Sequence, residues 1–170
     1  MASNKSLQDL SGKWKMNKEL SSDVTPVLAI QGFGALVRKA ASMAPVNLFV
    51  RQNGDSEIYI DQSTTANIPA IKEEWYPRDH EWRENKDSFL GKVKSRSRWA
   101  KVSELSGAEG LLTEGVDGDA EVIESEVESV ENGWRAVQVW LFEEGTFVRR
   151  VVTTKGEQKA ETKLVYNFQG

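Results

Sequence analysis

SGKWKMNKEL (residues 11–20), GFGALVRKAASMAP (residues 32–45) and VNLFVRQNGDSEIYID (residues 46–61) follow one another as a strand, a helical segment and a hairpin. In the first, Trp14 and Met16 fall on one face and Leu20 follows, the alternation of a half-buried strand. Ser22 or Asp23 then stands where a helix cap is wanted, and Pro26 where a first-turn proline is tolerated. Gly32 and Gly34 break that helix and permit a reversal, Gly34 being the expected carrier of a positive φ. Beyond them Leu36, Val37, Ala40 and Ala44 form an apolar stripe, with Arg38, Lys39 and Ser42 facing away, until Pro45 ends the helix. Asn53-Gly54 is a strong hairpin signal, because both residues accept φ > 0.

Working outward, strand periodicity dominates. Residues 57–63, 68–75, 80–84, 92–102, 122–130, 134–142, 147–154 and 159–168 alternate or carry β-formers, with turns at Glu144-Gly145 and Lys155-Gly156. Lys92, Lys94, Arg96 and Arg98 share one face of their strand, against Val93, Ser95, Ser97 and Trp99 on the other. Glu124, Glu126 and Glu128 form a matching acidic row. Both rows read as a solvated exterior, and the small and mixed residues opposite them leave interior room that an all-leucine face would fill. Many short strands with regular turns imply an all-β fold, here a single domain over residues 1–170 with lid helices at about 22–44 and an extended loop at about 103–121.

Composition narrows the partners. A net charge of −4 and a pI near 5.2 argue against nucleic acid, which demands a basic surface. No apolar run reaches the ~20 residues of a membrane helix, and MASNKSLQDLSG lacks the apolar core of a signal peptide, so a cytoplasmic location is expected. Without cysteine, and with His80 as the sole histidine, thiol chemistry and a resident metal are not expected. No cofactor motif is present either. The expected partner is a small hydrophobic molecule, with at most transient membrane contact through the lid, and the chain is expected as a monomer or weak homodimer.

The chain resembles the intracellular lipid-binding proteins, the fatty-acid-binding branch of the calycins. The resemblance rests on Gly12-Lys13-Trp14, on the helical segment from Gly32 to Ala44, and on His80-Glu81-Trp82-Arg83-Glu84 followed by Gly91-Lys92-Val93-Lys94-Ser95. It implies a ten-stranded antiparallel clamshell β-barrel with a helix-turn-helix lid and a ligand held inside. Two departures stand out. The chain is longer than such proteins usually are, with the surplus between Ala100 and Gly133. The family's carboxylate anchor, an Arg-x-Tyr on the last strand, is here Leu164-Val165-Tyr166, so the tyrosine is kept and the arginine is missing.

Alternation places Ala160, Thr162, Leu164, Tyr166 and Phe168 on the inner face of the last strand. Arg149 and Arg150 are adjacent, so one of them should point inward if the strand stays regular, calling for an anionic or polar ligand or a buried carboxylate such as Glu84 or Asp61. The expected ligand-binding residues are Tyr166, Arg150, Arg149, Trp99, Trp140, Gln138, Leu164, Phe33 and Leu36. Aromatic walls at Trp99 and Trp140 suit a ring-containing ligand. Two functions stay open. One is an intracellular carrier. The other is a cofactor-independent cyclase, isomerase or dehydratase, in which His80, Tyr166 and Glu84 are the acid–base candidates.

Overall fold

The computed structural model describes residues 4–64, 70–105 and 112–170. In chain order the elements are β1 (Gly12–Met16), α1 (Thr25–Ile30), α2 (Ala35–Met43), β2 (Val46–Asn53), β3 (Glu57–Thr64), β4 (Ile71–Trp75) and β5 (Arg83–Asp87). They continue with β6 (Gly91–Lys101), β7 (Glu121–Ser129), β8 (Arg135–Glu143), β9 (Thr146–Lys155) and β10 (Gln158–Phe168). One antiparallel sheet runs β4-β3-β2-β1-β10-β9-β8-β7-β6-β5 and curls into a nearly closed barrel whose free edges are β4 and β5.

The Gly-x-Trp opening is a packing requirement. Trp14 is fully buried, donates its indole N–H to the Leu10 carbonyl at 2.8 Å, and meets Phe142, Phe147 and Phe168 edge-on. A Cβ on Gly12, where φ is 131°, would lie 2.6 Å from the Phe168 ring. With Trp75, Trp140, Ile58 and Ile60 these rings fill one end of the barrel. The lid covers the other end. Ile30 of α1 joins a buried cluster with Val93, Trp134, Ala136, Val151 and Ala160.

The exterior accounts for the charged rows. Register sets Lys94, Arg96 and Arg98 opposite Glu128, Glu126 and Glu124, with ion pairs of 3.0, 3.2 and 2.9 Å. Further round, the outer face is apolar instead. Val122, Val139, Leu141, Val148, Val152 and Val165 point outward and are covered by Leu105, Leu112 and Val116. The surplus chain thus packs as a second small core outside the barrel; its residues 106–111 lie outside the described set.

Four local expectations are corrected. The fifth strand begins at Arg83 instead of 80, because the Asp79 carboxylate accepts the Glu81 N–H at 3.1 Å and pairs with Arg83, holding His80 in a turn at φ 51°. The α1 cap position is Val24, while Asp23 instead takes the Thr25 N–H at 3.0 Å and its hydroxyl at 2.7 Å. The reversal between the helices needs Gly32, at φ 91°, whereas Gly34 sits at φ −70° as the residue before α2. The fourth strand starts at Ile71, and residues 68 and 69 of its expected span lie outside the described set.

Candidate functional site

Between the aromatic base and the lid lies a cavity of about 690 Å³, within the range of small-molecule sites. Its chemistry centres on Arg149. This β9 side chain is 4% exposed and turns into the barrel, opposite Leu164 of β10 and Trp140 of β8. The guanidinium makes a bidentate pair with Glu73 of β4, Nη2–Oε1 at 2.6 Å and Nη1–Oε2 at 3.1 Å, and donates from Nε to Gln138 Oε1 at 3.1 Å. The Trp75 indole N–H also donates to Glu73 Oε1, at 3.2 Å. Burial pulls the guanidinium toward neutrality, but the Glu73 charge and its hydrogen bonds outweigh it and hold Arg149 above its ordinary value. The pair is electrically neutral and buried.

Tyr166 lies beside this pair, fully buried. Arg149 acts on it through charge and as a hydrogen-bond donor, and since a guanidinium only donates, the phenol's own proton has no acceptor among the described residues. Burial pushes the phenol up to about 12, with Glu73 adding to the rise and Arg149 opposing it. At neutral pH it is a proton donor waiting for an acceptor. Two further hydroxyls in the cavity wall, Thr153 and Thr162, are also buried and without a partner among the described residues.

The structure gathers part of the expected set. Tyr166, Arg149, Gln138 and Leu164 line the cavity, and Glu84 stands at its rim, 3.8 Å from Lys92. Trp140 is buried in the aromatic base, donating to the Ser125 hydroxyl at 3.0 Å. Trp99 packs at the same base and donates to the Asp55 carbonyl at 2.8 Å. Neither makes a free cavity wall, because the tryptophans occupy the end that closure needs filled. Arg150 faces outward, bound to Glu143 and, at 2.6 Å, to the Glu114 carbonyl, so it fastens the extra loop. Leu36 is 84% exposed on the outer side of α2. Phe33 stacks on Phe89 at 4.3 Å with ring planes 10° apart, joining the lid reversal to the β5–β6 turn at the cavity edge.

His80 is outside the barrel. Its ring, Glu124 and Glu126 bring ligand atoms within 4.8 Å of one another. Both carboxylates there already belong to arginines, Glu124 to Arg98 and Glu126 to Arg96 and Arg135. Sequence reasoning missed Glu73 as the partner carboxylate, although a signal existed. Ile71, Glu73 and Trp75 alternate onto one face, so a strand with Trp75 inward carries Glu73 inward too.

The barrel matches solved structures over nearly its whole length. Lipid binding protein 8 of Caenorhabditis elegans superposes with a TM-score of 0.68 at 17% identity, over 98% of this chain and 100% of that one. The fatty acid binding protein of Schistosoma mansoni, solved with arachidonic acid, gives 0.63 at 16% identity over 98% and 100%. The fold is that of the fatty-acid-binding proteins. No family model matches the chain. Among curated proteins, a pericyclase, pydY, from Acremonium sp is 28% identical over 177 residues, spanning 98% of this chain and 95% of its own length. Among the described residues no helix is long and apolar enough to cross a membrane.

Proposed function

We propose that the barrel binds a small, largely apolar molecule bearing a neutral carbonyl and promotes a pericyclic ring closure within it. The observation that carries this reading is the Arg149–Glu73 pair. A cavity whose only buried guanidinium among the described residues is already neutralised gains nothing from a ligand carboxylate, which would have to displace Glu73. A carbonyl oxygen is different. It accepts from the Tyr166 hydroxyl, whose proton no acceptor among the described residues takes, and adds no charge.

Such chemistry needs neither nucleophile nor redox partner. In a closure of the [4+2] kind, the two π bonds of a diene and the one π bond of a carbonyl-conjugated alkene are consumed, and their six electrons become two new carbon–carbon single bonds and one new double bond. No atom or proton enters or leaves. The protein supplies shape, holding a flexible chain folded with its reacting ends together, which removes much of the entropic barrier. Tyr166 draws electron density from the conjugated carbonyl as the bonds form. Charge development here is smaller than at an oxyanion, so its removal should cost about tenfold in rate, below the ~10²–10³ of an oxyanion-hole donor. The full-length similarity to a pericyclase supports this reading.

A second reading, an intracellular carrier, is favoured by the fold, which fatty-acid and lipid-binding proteins share. One experiment separates the two. Linear polyenes ending in a conjugated ketone are incubated with the protein while loss of polyene absorbance and product mass are followed. Closure faster than the spontaneous reaction, slowed about tenfold by Tyr166→Phe, supports the enzyme. Tight binding with no acceleration leaves the carrier.

A further inference from the structure

The cavity wall formed by β9 and β10 repeats itself. Along β9 the inward residues are Arg149, Val151 and Thr153; along β10 they are Tyr166, Leu164 and Thr162. Both strands therefore read polar, apolar, polar. The cross-strand geometry repeats as well. Arg149 pairs with Leu164, two residues before Tyr166, and Thr153 pairs with Ala160, two residues before Thr162. Each end of the wall thus presents one side chain from each strand, a diagonal step apart.

Four residues on a strand separate the two ends, about 13 Å. At the far end Thr153 is fully buried and Thr162 is 3% exposed, and neither hydroxyl has a hydrogen-bond partner among the described residues. A buried hydroxyl without a partner is costly, and valine would fill the same space without that cost. Thr153 is flanked in register by the small residues Ala136 and Ala160. Ile30 of the lid belongs to the same buried cluster as those alanines and Val151, so the end sits beneath α1, away from bulk water.

We infer that Thr153 and Thr162 form a second hydrogen-bonding subsite, so that the ligand is an elongated molecule with an apolar middle and a polar oxygen at each end. One oxygen meets Tyr166 beside the neutral Arg149–Glu73 pair. The other meets the threonine pair under the lid, and Val151 and Leu164 contact the apolar middle. This rests on the reading that the cavity takes neutral carbonyl compounds.

The test compares two twelve-carbon probes by calorimetry: a linear ketone with its carbonyl near one end, and a diketone with carbonyls near both. The wild type should bind the diketone about three- to tenfold more tightly, the worth of one added hydrogen bond. A six-carbon diketone, too short to reach both ends, should show no such advantage. Thr153→Val and Thr162→Val, which keep side-chain volume, should fold normally and the double variant should bind both twelve-carbon probes alike. Equal affinity of the two long probes for the wild type overturns the subsite, as does a diketone advantage that survives in the valine variants. If neither ketone binds at all, the carbonyl reading of the cavity fails and the subsite falls with it.

Discussion

Replacing Glu73 by glutamine should convert a barrel indifferent to fatty acids into one that binds them, at a cost in stability. Glu73 accepts two hydrogen bonds from Arg149 and one from Trp75, and its side chain is only 13% exposed. Removing one partner of a buried ion pair costs about 3–5 kcal/mol, because the surviving charge is left uncompensated. Glutamine keeps one acceptor oxygen but turns an amide N–H toward the guanidinium, so little of the bidentate pair survives. The residual exposure of Glu73 favours the lower end, about 3 kcal/mol. For a chain of this size that lowers the melting temperature by about 6–12 °C. The freed guanidinium then calls for an anion. Oleate at a hundredfold excess over its dissociation constant restores about 2.7 kcal/mol, most of the loss. The double variant Glu73→Leu/Arg149→Met, which removes both charges, should return to within about 1 kcal/mol of the wild type and ignore oleate. Thermal unfolding of the three proteins with and without oleate reads all six states. An unchanged midpoint in Glu73→Gln, or oleate stabilising the wild type as much as the variant, refutes the neutral-pair argument.

Other outcomes follow from the same geometry. Glu126 and Glu143 are partly desolvated, but their arginine and lysine partners outweigh burial and hold both below the ordinary value of 4.5. A depressed carboxylate stabilises fully above its unfolded value and loses that contribution as pH falls through the folded one, so stability should drop in the acid range below about 4.5. Glu126→Gln should flatten that drop in melting curves taken across pH. Gly32→Ala forces a side chain into a positive φ and should destabilise by about 1 kcal/mol, whereas Gly34→Ala should cost clearly less in urea titrations. Phe89→Ala removes the stacked contact with Phe33 and should speed ligand release about three- to tenfold in stopped-flow, in line with the ~0.5–1.5 kcal/mol of an aromatic pair. An unchanged release rate would mean that the ligand leaves elsewhere.

Much of the barrel was legible because strand alternation is a local property. Period two along residues 159–168 sorted Thr162, Leu164 and Tyr166 onto the inner face and Lys163 outside, and the cavity lining agrees. The charged rows of β6 and β7 were read as exterior, and register turns them into rungs of cross-strand ion pairs. Alternation gives the face but not the depth. Trp99 and Trp140 have the right phase, yet they lie in the aromatic base, since height along the barrel depends on where each strand meets its neighbours. The lid residues escaped for a related reason. Helical periodicity found an apolar stripe on α2, but α2 buries no residue, and Leu36 faces solvent.

By itself the chain gave its elements, their order, and the expectation that one of two adjacent arginines faces inward if their strand stays regular, because each follows from local sterics and the spacing of apolar residues. Folding alone chose Arg149, sent Arg150 beneath the extra loop, and gave the inward guanidinium its partner. Glu73 and Arg149 are 76 residues apart, on strands separated in the sheet by β3, β2, β1 and β10. They meet only across the lumen once the sheet has curled shut. The charge of the cavity, and with it the ligand class, is thus a consequence of closure, which no local pattern in the chain records.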